Sequence, residues 1–122
     1  MSVTWIQYMG KSILFSDYRG CKTSEQMLEV LFTEIDILNS QEGKVLVMAH
    51  YDNCNPTSEY FHVVKKFGKE ILKNKTQKTA TLGINGMKRL LFNTYISFTG
   101  DYNVRLFKDK ESALEWLVSR YY

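Results

Sequence analysis

Proline is nearly missing from this chain. Pro56 is the only one in 122 residues, and no Gly/Ser-rich or low-complexity stretch stands in for a linker. One domain spanning 1–122 is therefore expected, since domains cluster at roughly 100–150 residues. Cysteine is scarce too: Cys21 and Cys54, with no CxxC, and His50 and His62 as the only histidines. That spacing excludes the familiar zinc patterns. A core of this size needs no disulfide staple, so two free thiols in a cytoplasmic protein are expected. No apolar run approaches the roughly 18–20 residues of a membrane span. Met1 to Lys11 has neither the basic nor the apolar region of a secretory signal. The length leaves no room for separate cofactor and substrate domains, and no internal repeat stands out.

What is present is bulk. Eight Tyr, seven Phe and two Trp accompany 44% hydrophobic and 24% charged residues, the composition of a globular fold and not of a disordered one. The net charge of +3 hides a division. Residues 1–62 carry four basic and eight acidic side chains, net −4, and residues 63–122 carry twelve and five, net +7. The excess is densest where Lys65, Lys66, Lys69, Lys73, Lys75, Lys78, Lys88 and Arg89 face only Glu70. Such a stripe is either a solvated helix face or a contact for phosphate or an acidic partner. No aromatic residues interleave with it as in RNA-binding motifs, so specific nucleic-acid binding is not expected.

Val3–Tyr8 and Ser12–Ser16, split by Gly10, predict an antiparallel hairpin. Thr23-Ser24-Glu25-Gln26 fits a capping box ahead of Met27, Leu28, Leu31, Ile35 and Leu38 at helical spacing. Lys44–Ala49 is a continuous apolar run, as expected of a central parallel strand buried on both faces. Pro56 suits a first helical turn, with Asn55 or Thr57 as cap and Tyr60, Phe61, Val64, Phe67, Ile71 and Leu72 as the apolar face. Thr79–Ile84 predicts a strand, and Asn85-Gly86 a turn. Met87, Leu90, Leu91, Thr94, Tyr95 and Phe98 then give the apolar face of a third helix ended by Gly100. Val104–Phe107 is a short last strand. Asp109 caps a helix with Ala113, Leu114, Leu117 and Val118 inside and Trp116 at the border. The order β-β-α-β-α-β-α-β-α predicts an α/β domain with a mixed five-stranded sheet.

Several segments resemble the SpoIIAA-like branch of the STAS domains, small bacterial proteins related to anti-sigma-factor antagonists. They are Ser16-Asp17-Tyr18-Arg19-Gly20 before the first helix, Gly43–Met48, Leu82–Leu91, and the closing Arg105–Leu117 with its Ala-Leu-Glu-Trp-Leu. The resemblance runs over nearly the whole chain. It implies a non-catalytic regulatory domain that binds another protein, or a second copy of itself, and needs no cofactor. It also implies a phosphoacceptor at the start of the second helix, where Thr57 and Ser58 stand. Pro56 and Glu59 depart from the family's Asp-Ser-x-Gly arrangement, and helix capping alone also accounts for both hydroxyls.

Three sites are candidates. The loop His50-Tyr51-Asp52-Asn53-Cys54-Asn55 follows the central strand, where open α/β sheets bind ligands, and with the start of the second helix it is the expected partner surface. Within it His50, Asp52 and Cys54 alternate, so a thiol or hydrolytic enzyme would need them within hydrogen-bond reach of one another. Asn85, Gly86, Lys88 and Arg89 open a helix, a place for an anion or simply a turn. Tyr121 and Tyr122 either pack on the last helix or serve a self-contact. The alternative function is a small-molecule or lipid pocket between helix and sheet. A cavity of about 300 Å³ or more would favour it, and a filled core would favour the protein partner.

Overall fold

The computed structural model describes residues 1–120, so the Tyr121-Tyr122 pair lies outside the described residues. The elements are β1 (Ser2–Tyr8), β2 (Lys11–Asp17), α1 (Ser24–Ser40), β3 (Val45–His50), α2, β4 (Thr76–Leu82), α3 (Met87–Thr99), β5 (Val104–Phe107) and α4 (Lys110–Val118). Helix α2 covers residues 58–75: an α-helical Ser58–Phe67, a π-helical turn at Gly68–Leu72 and a last α-turn Lys73–Lys75.

The five strands lie in sequence order in one mixed sheet, β1 antiparallel to β2 and the other pairs parallel. Each parallel step moves one place in the same direction. Right-handed crossovers then put α1, α2 and α3 on one face of the sheet, and α4 returns to the other. Alternation along the strands divides the core accordingly. Leu14, Val45, Val47 and Ala49 join the larger core with α1 and α2, and Ile13, Leu46, Met48, Ala80 and Leu82 join the smaller one with α4.

Local signals act as their chemistry requires. Met9 and Gly10, both at positive φ (50° and 78°), make the tight hairpin turn. Thr23 accepts from the Gln26 amide at 3.2 Å while the Gln26 side chain accepts from the Thr23 amide, completing the capping box. Thr57 caps α2 and Asp109 caps α4. Gly100, at φ 70°, closes α3.

Three features differ from the sequence reading. Strand β4 begins at Thr76, three residues early, so Lys78 is a strand residue and fully buried instead of belonging to a solvated helix face. Its ammonium donates to the Trp116 and Ser119 carbonyls at 2.8 and 2.9 Å, adding a charged donor at the end of α4, where the Trp116 carbonyl also accepts from the Ser119 amide and hydroxyl. Trp116 is itself buried and not at a border. On α3 the apolar residues do not share one inner face: Met87, Leu90 and Phe98 are 73%, 62% and 49% exposed, while Leu91, Phe92 and Tyr95 turn inward.

Candidate functional site

The ends of β2 and β3 carry the same device. Tyr18-Arg19-Gly20-Cys21 and Tyr51-Asp52-Asn53-Cys54 are two turns of the form Tyr-x-x-Cys, 33 residues apart, a repeat too short to stand out from the sequence. In each, the Cys amide donates to the Tyr carbonyl at 3.1 Å, and the third residue has positive φ, 81° at Gly20 and 56° at Asn53. The Tyr18 amide donates to the His50 carbonyl and the Tyr51 amide to the Leu82 carbonyl, both at 2.9 Å, which extends the parallel ladder into the turns. Adjacent strands therefore bring like residues side by side. The Tyr18 and Tyr51 rings stack, and the two buried thiols face each other closely enough to influence one another's ionisation. Tyr60 of α2 joins them, its hydroxyl 2.6 Å from that of Tyr51.

This geometry redistributes the loop 50–55. Cys54 is buried, Tyr51 is half-buried in the aromatic stack, and Asp52, Asn53 and Asn55 are exposed. His50 Nε2 lies 2.6 Å from Asp52 Oδ2, and no hydrogen bond joins His50 to Cys54 among the described residues. Burial pushes the Cys54 thiol up to about 11, and the Cys21 thiol is raised for the same reason. A thiol held protonated is a poor nucleophile and a poor ligand, so the alternating His50, Asp52 and Cys54 do not assemble as a catalytic set. No group of three or more potential metal ligands occurs among the described residues.

At the start of α2, Thr57 Oγ1 accepts from the Tyr60 amide at 3.2 Å and shares a 2.6 Å hydrogen bond with Ser24 Oγ, which ties α2 to α1. Ser58 is exposed. At the start of α3, Asn85, Gly86 and Arg89 are exposed, but Lys88 turns inward and donates to the Tyr51 and Gly83 carbonyls at 3.0 and 2.9 Å. The lysine expected to reinforce an anion site instead ties the loops after β3 and β4 together. Gly83 makes that junction possible. It sits at φ 79°, and a Cβ there would collide with the backbone of Asp52. Lys75 is likewise engaged, donating to the Gln41 carbonyl at 2.7 Å.

Beneath α3 lies a cavity of about 100 Å³. Its floor is made of the small sheet residues Ala49, Thr79 and Thr81, which leave the space that larger side chains would fill. Six aromatic side chains stand in its walls among aliphatic ones: Tyr18, Tyr51, Tyr60, Phe61, Phe92 and Tyr95. Gly68 allows Tyr95 to pack against the π-turn of α2, because a Cβ there would stand 2.5 Å from the Tyr95 hydroxyl. Two carboxyl groups complete the lining. Asp101 is 3.4 Å from the Tyr95 hydroxyl, and burial raises its pKa. Glu34 of α1 is buried, with 6% of its surface exposed; Oε1 accepts from Ser16 Oγ at 2.5 Å, and Oε2 has no hydrogen-bond partner among the described residues. Burial pushes the Glu34 carboxyl up to about 7.

None of these wall positions apart from Tyr51 was singled out from the sequence as functional. A signal existed for Glu34. Met27, Leu31, Glu34 and Leu38 lie on one stripe of α1, and an acid among buried apolar residues at that spacing is anomalous.

Outside the cavity, α2 and α3 present a mixed face. The Lys65 and Lys69 ammonium groups each lie 5.3 Å from the centre of the Phe98 ring, and Lys65 is 4.9 Å from that of Phe61. A surface groove lined by Pro56, Thr57, Ser58, Phe61, His62, Lys65 and Leu91 lies between the N-terminal halves of α2 and α3. No helix among the described residues is long and apolar enough to cross a membrane. Compared with models of protein families, with curated proteins and with solved structures, the chain matches none.

Proposed function

We propose that this chain is a non-catalytic regulatory domain of the SpoIIAA-like, STAS-like kind, working in the bacterial cytoplasm by binding another protein through the α2–α3 face. The observation that carries the reading is the outer stripe of α3. Met87, Leu90 and Phe98 stand exposed, with Lys65 and Lys69 beside the Phe98 ring and Arg89 exposed on the same helix. Interfaces centre on desolvated apolar anchors, while complementary charge at the rim sets the choice of partner. An apolar stripe edged by lysine fits an acidic partner segment with its own apolar anchors. The groove continues this face to the start of α2, which with the loop 50–55 is the partner surface expected from the sequence; Asp52, Asn53 and Asn55 of that loop are exposed. The protonated, buried Cys54 and the His50–Asp52 pairing support a domain that works without a catalytic nucleophile.

Capture from the native cell with wild-type bait and with a Leu90→Glu/Phe98→Glu bait tests this. Both substitutions are on exposed positions and leave the core intact. An acidic protein held by the wild type, released by added salt and missing from the double variant is the expected result. Equal retention by both baits overturns the docking face. Retention of nothing but further copies of the chain itself replaces the acidic partner with self-association.

A further inference from the structure

The cavity beneath α3 is too small for a lipid. It is about 100 Å³, a third of the smallest volume usual for drug-sized ligands. It is nevertheless large enough for a molecule of a few heavy atoms: an engineered cavity of about 150 Å³ in another protein takes up benzene. The walls decide which small molecule. An inorganic anion would meet two carboxyl groups, Glu34 and Asp101. A purely apolar guest would make no use of the Glu34 carboxyl at the cavity wall, of which only Oε1 is hydrogen-bonded.

The surroundings of Glu34 suit a cation. The tyrosines 18, 51 and 95 all lie close enough to feel its charge. Aromatic faces attract ammonium groups through the ring quadrupole, and aromatic cages are used for that purpose. No cationic side chain compensates the Glu34 carboxylate; burial opposes its ionisation, with only the Ser16 hydroxyl to favour it. Lys88 also borders the cavity, but its ammonium is held by the Tyr51 and Gly83 carbonyls. Lys73 acts on Asp101 and not on Glu34.

We propose that this cavity binds a small organic ammonium ion, its N–H or N–CH₃ groups set against Glu34 Oε2 inside the ring of tyrosines. Entry runs between the first turn of α2 and α3, because Pro56, Phe61 and Leu91 line both the cavity and the surface groove. The site develops the pocket reading; its mouth opens into the groove that continues the docking face, while the guest itself sits beneath α3.

The test compares two guests of the same shape, tert-butylammonium chloride and tert-butanol, titrated into the whole protein at about pH 8, where Glu34 is ionised. Amide NMR shifts are the readout, with matched sodium chloride as control. The cation is expected to shift cavity residues and to bind about tenfold more tightly than the alcohol, the ratio a single good charge contact gives. Glu34→Gln is expected to remove that preference. Equal binding of cation and alcohol overturns the charge assignment while leaving a neutral pocket. No saturable shift with either guest, or with the smaller methylammonium, overturns the site altogether. The comparison on the wild-type protein decides the matter whether or not Glu34→Gln folds.

Discussion

The Tyr18 and Tyr51 rings lie with centroids 4.4 Å apart and planes 9° from parallel. They stack because they hold the same place in two identical turns on neighbouring parallel strands, one strand spacing of about 4.8 Å apart. The same translation brings Cys21 next to Cys54. Both thiols are buried and both are held protonated.

The first expected outcome concerns those thiols. In the native protein at about pH 8, where an ordinary thiol is partly ionised, Cys21 and Cys54 react with a thiol reagent such as Ellman's only at the rate of local unfolding. In denaturant both react at once. Rapid native reaction of either thiol contradicts the burial described.

Glu34 gives the protein a pH dependence of definite sign. Its carboxyl goes from an ordinary value of 4.5 in the unfolded chain to about 7 in the fold. Between those values the folded state holds the extra proton, so stability falls as pH rises through the window and levels off above about 7. At 1.36 kcal/mol per pH unit, the full effect is on the order of 3 kcal/mol. Asp101 is raised too and acts in the same direction. Denaturant midpoints measured from about pH 5 to pH 8 are expected to decline, and Glu34→Gln is expected to flatten most of that decline. An unchanged slope in the variant assigns the effect to other groups.

Local chemistry was legible in the sequence, and long-range chemistry was not. The Thr23–Gln26 box, the Thr57 and Asp109 caps and the Gly100 stop each need only neighbours within a turn, so their residues announce them. The buried run at Val45–Ala49 likewise marked the central strand. Lys78 and Lys88 looked like members of a solvated stripe because their partners lie 38 to 41 and 37 residues away in sequence, Lys88 also holding the nearby Gly83 carbonyl. The tyrosine cluster depends on strand order, which places Tyr18 beside Tyr51 only once β2 and β3 pair in parallel. The α3 stripe misled because its apolar positions are divided between two sides of the helix. Six positions suggested one inner face, but Leu91 and Tyr95 turn toward the cavity while Met87, Leu90 and Phe98 stay exposed.

Two glycines hold this architecture by having no side chain. Gly68→Ala sets a methyl group 2.5 Å from the Tyr95 hydroxyl, so the ring must leave the cavity wall. The expected loss is about 1–3 kcal/mol, as for overpacked cores. In a Tyr95→Leu background the same substitution is expected to be neutral or to gain up to about 1 kcal/mol of helix propensity. A non-additive double-mutant cycle is the measurement, and additivity would separate Gly68 from Tyr95. Gly83→Ala combines positive φ with a collision against the Asp52 backbone and has no such rescue. It is expected to cost more, about 3 kcal/mol or above.

Lys78 is the last case, and it separates charge from packing. Its alkyl stem crosses the smaller core, and its ammonium sits 5.0 Å from the centre of the Trp116 ring while donating to the Trp116 and Ser119 carbonyls and to Ser119 Oγ at 3.2 Å. Burial lowers its pKa, since desolvation disfavours the charged form. Lys78→Met keeps the stem and removes the charged donor from the Trp116 and Ser119 carbonyls, although the Trp116 carbonyl keeps its bonds from the Ser119 amide and hydroxyl. The expected cost is about 2 kcal/mol, in the range of hydrogen bonds to charged groups. Lys78→Ala also removes the stem and opens a gap beside Trp116, so it is expected to cost about 1–2 kcal/mol more. Urea midpoints give the order wild type, Lys78→Met, Lys78→Ala. If Lys78→Met matched the wild type, the ammonium would contribute nothing net, and the stem alone would explain why a lysine occupies the interior of β4.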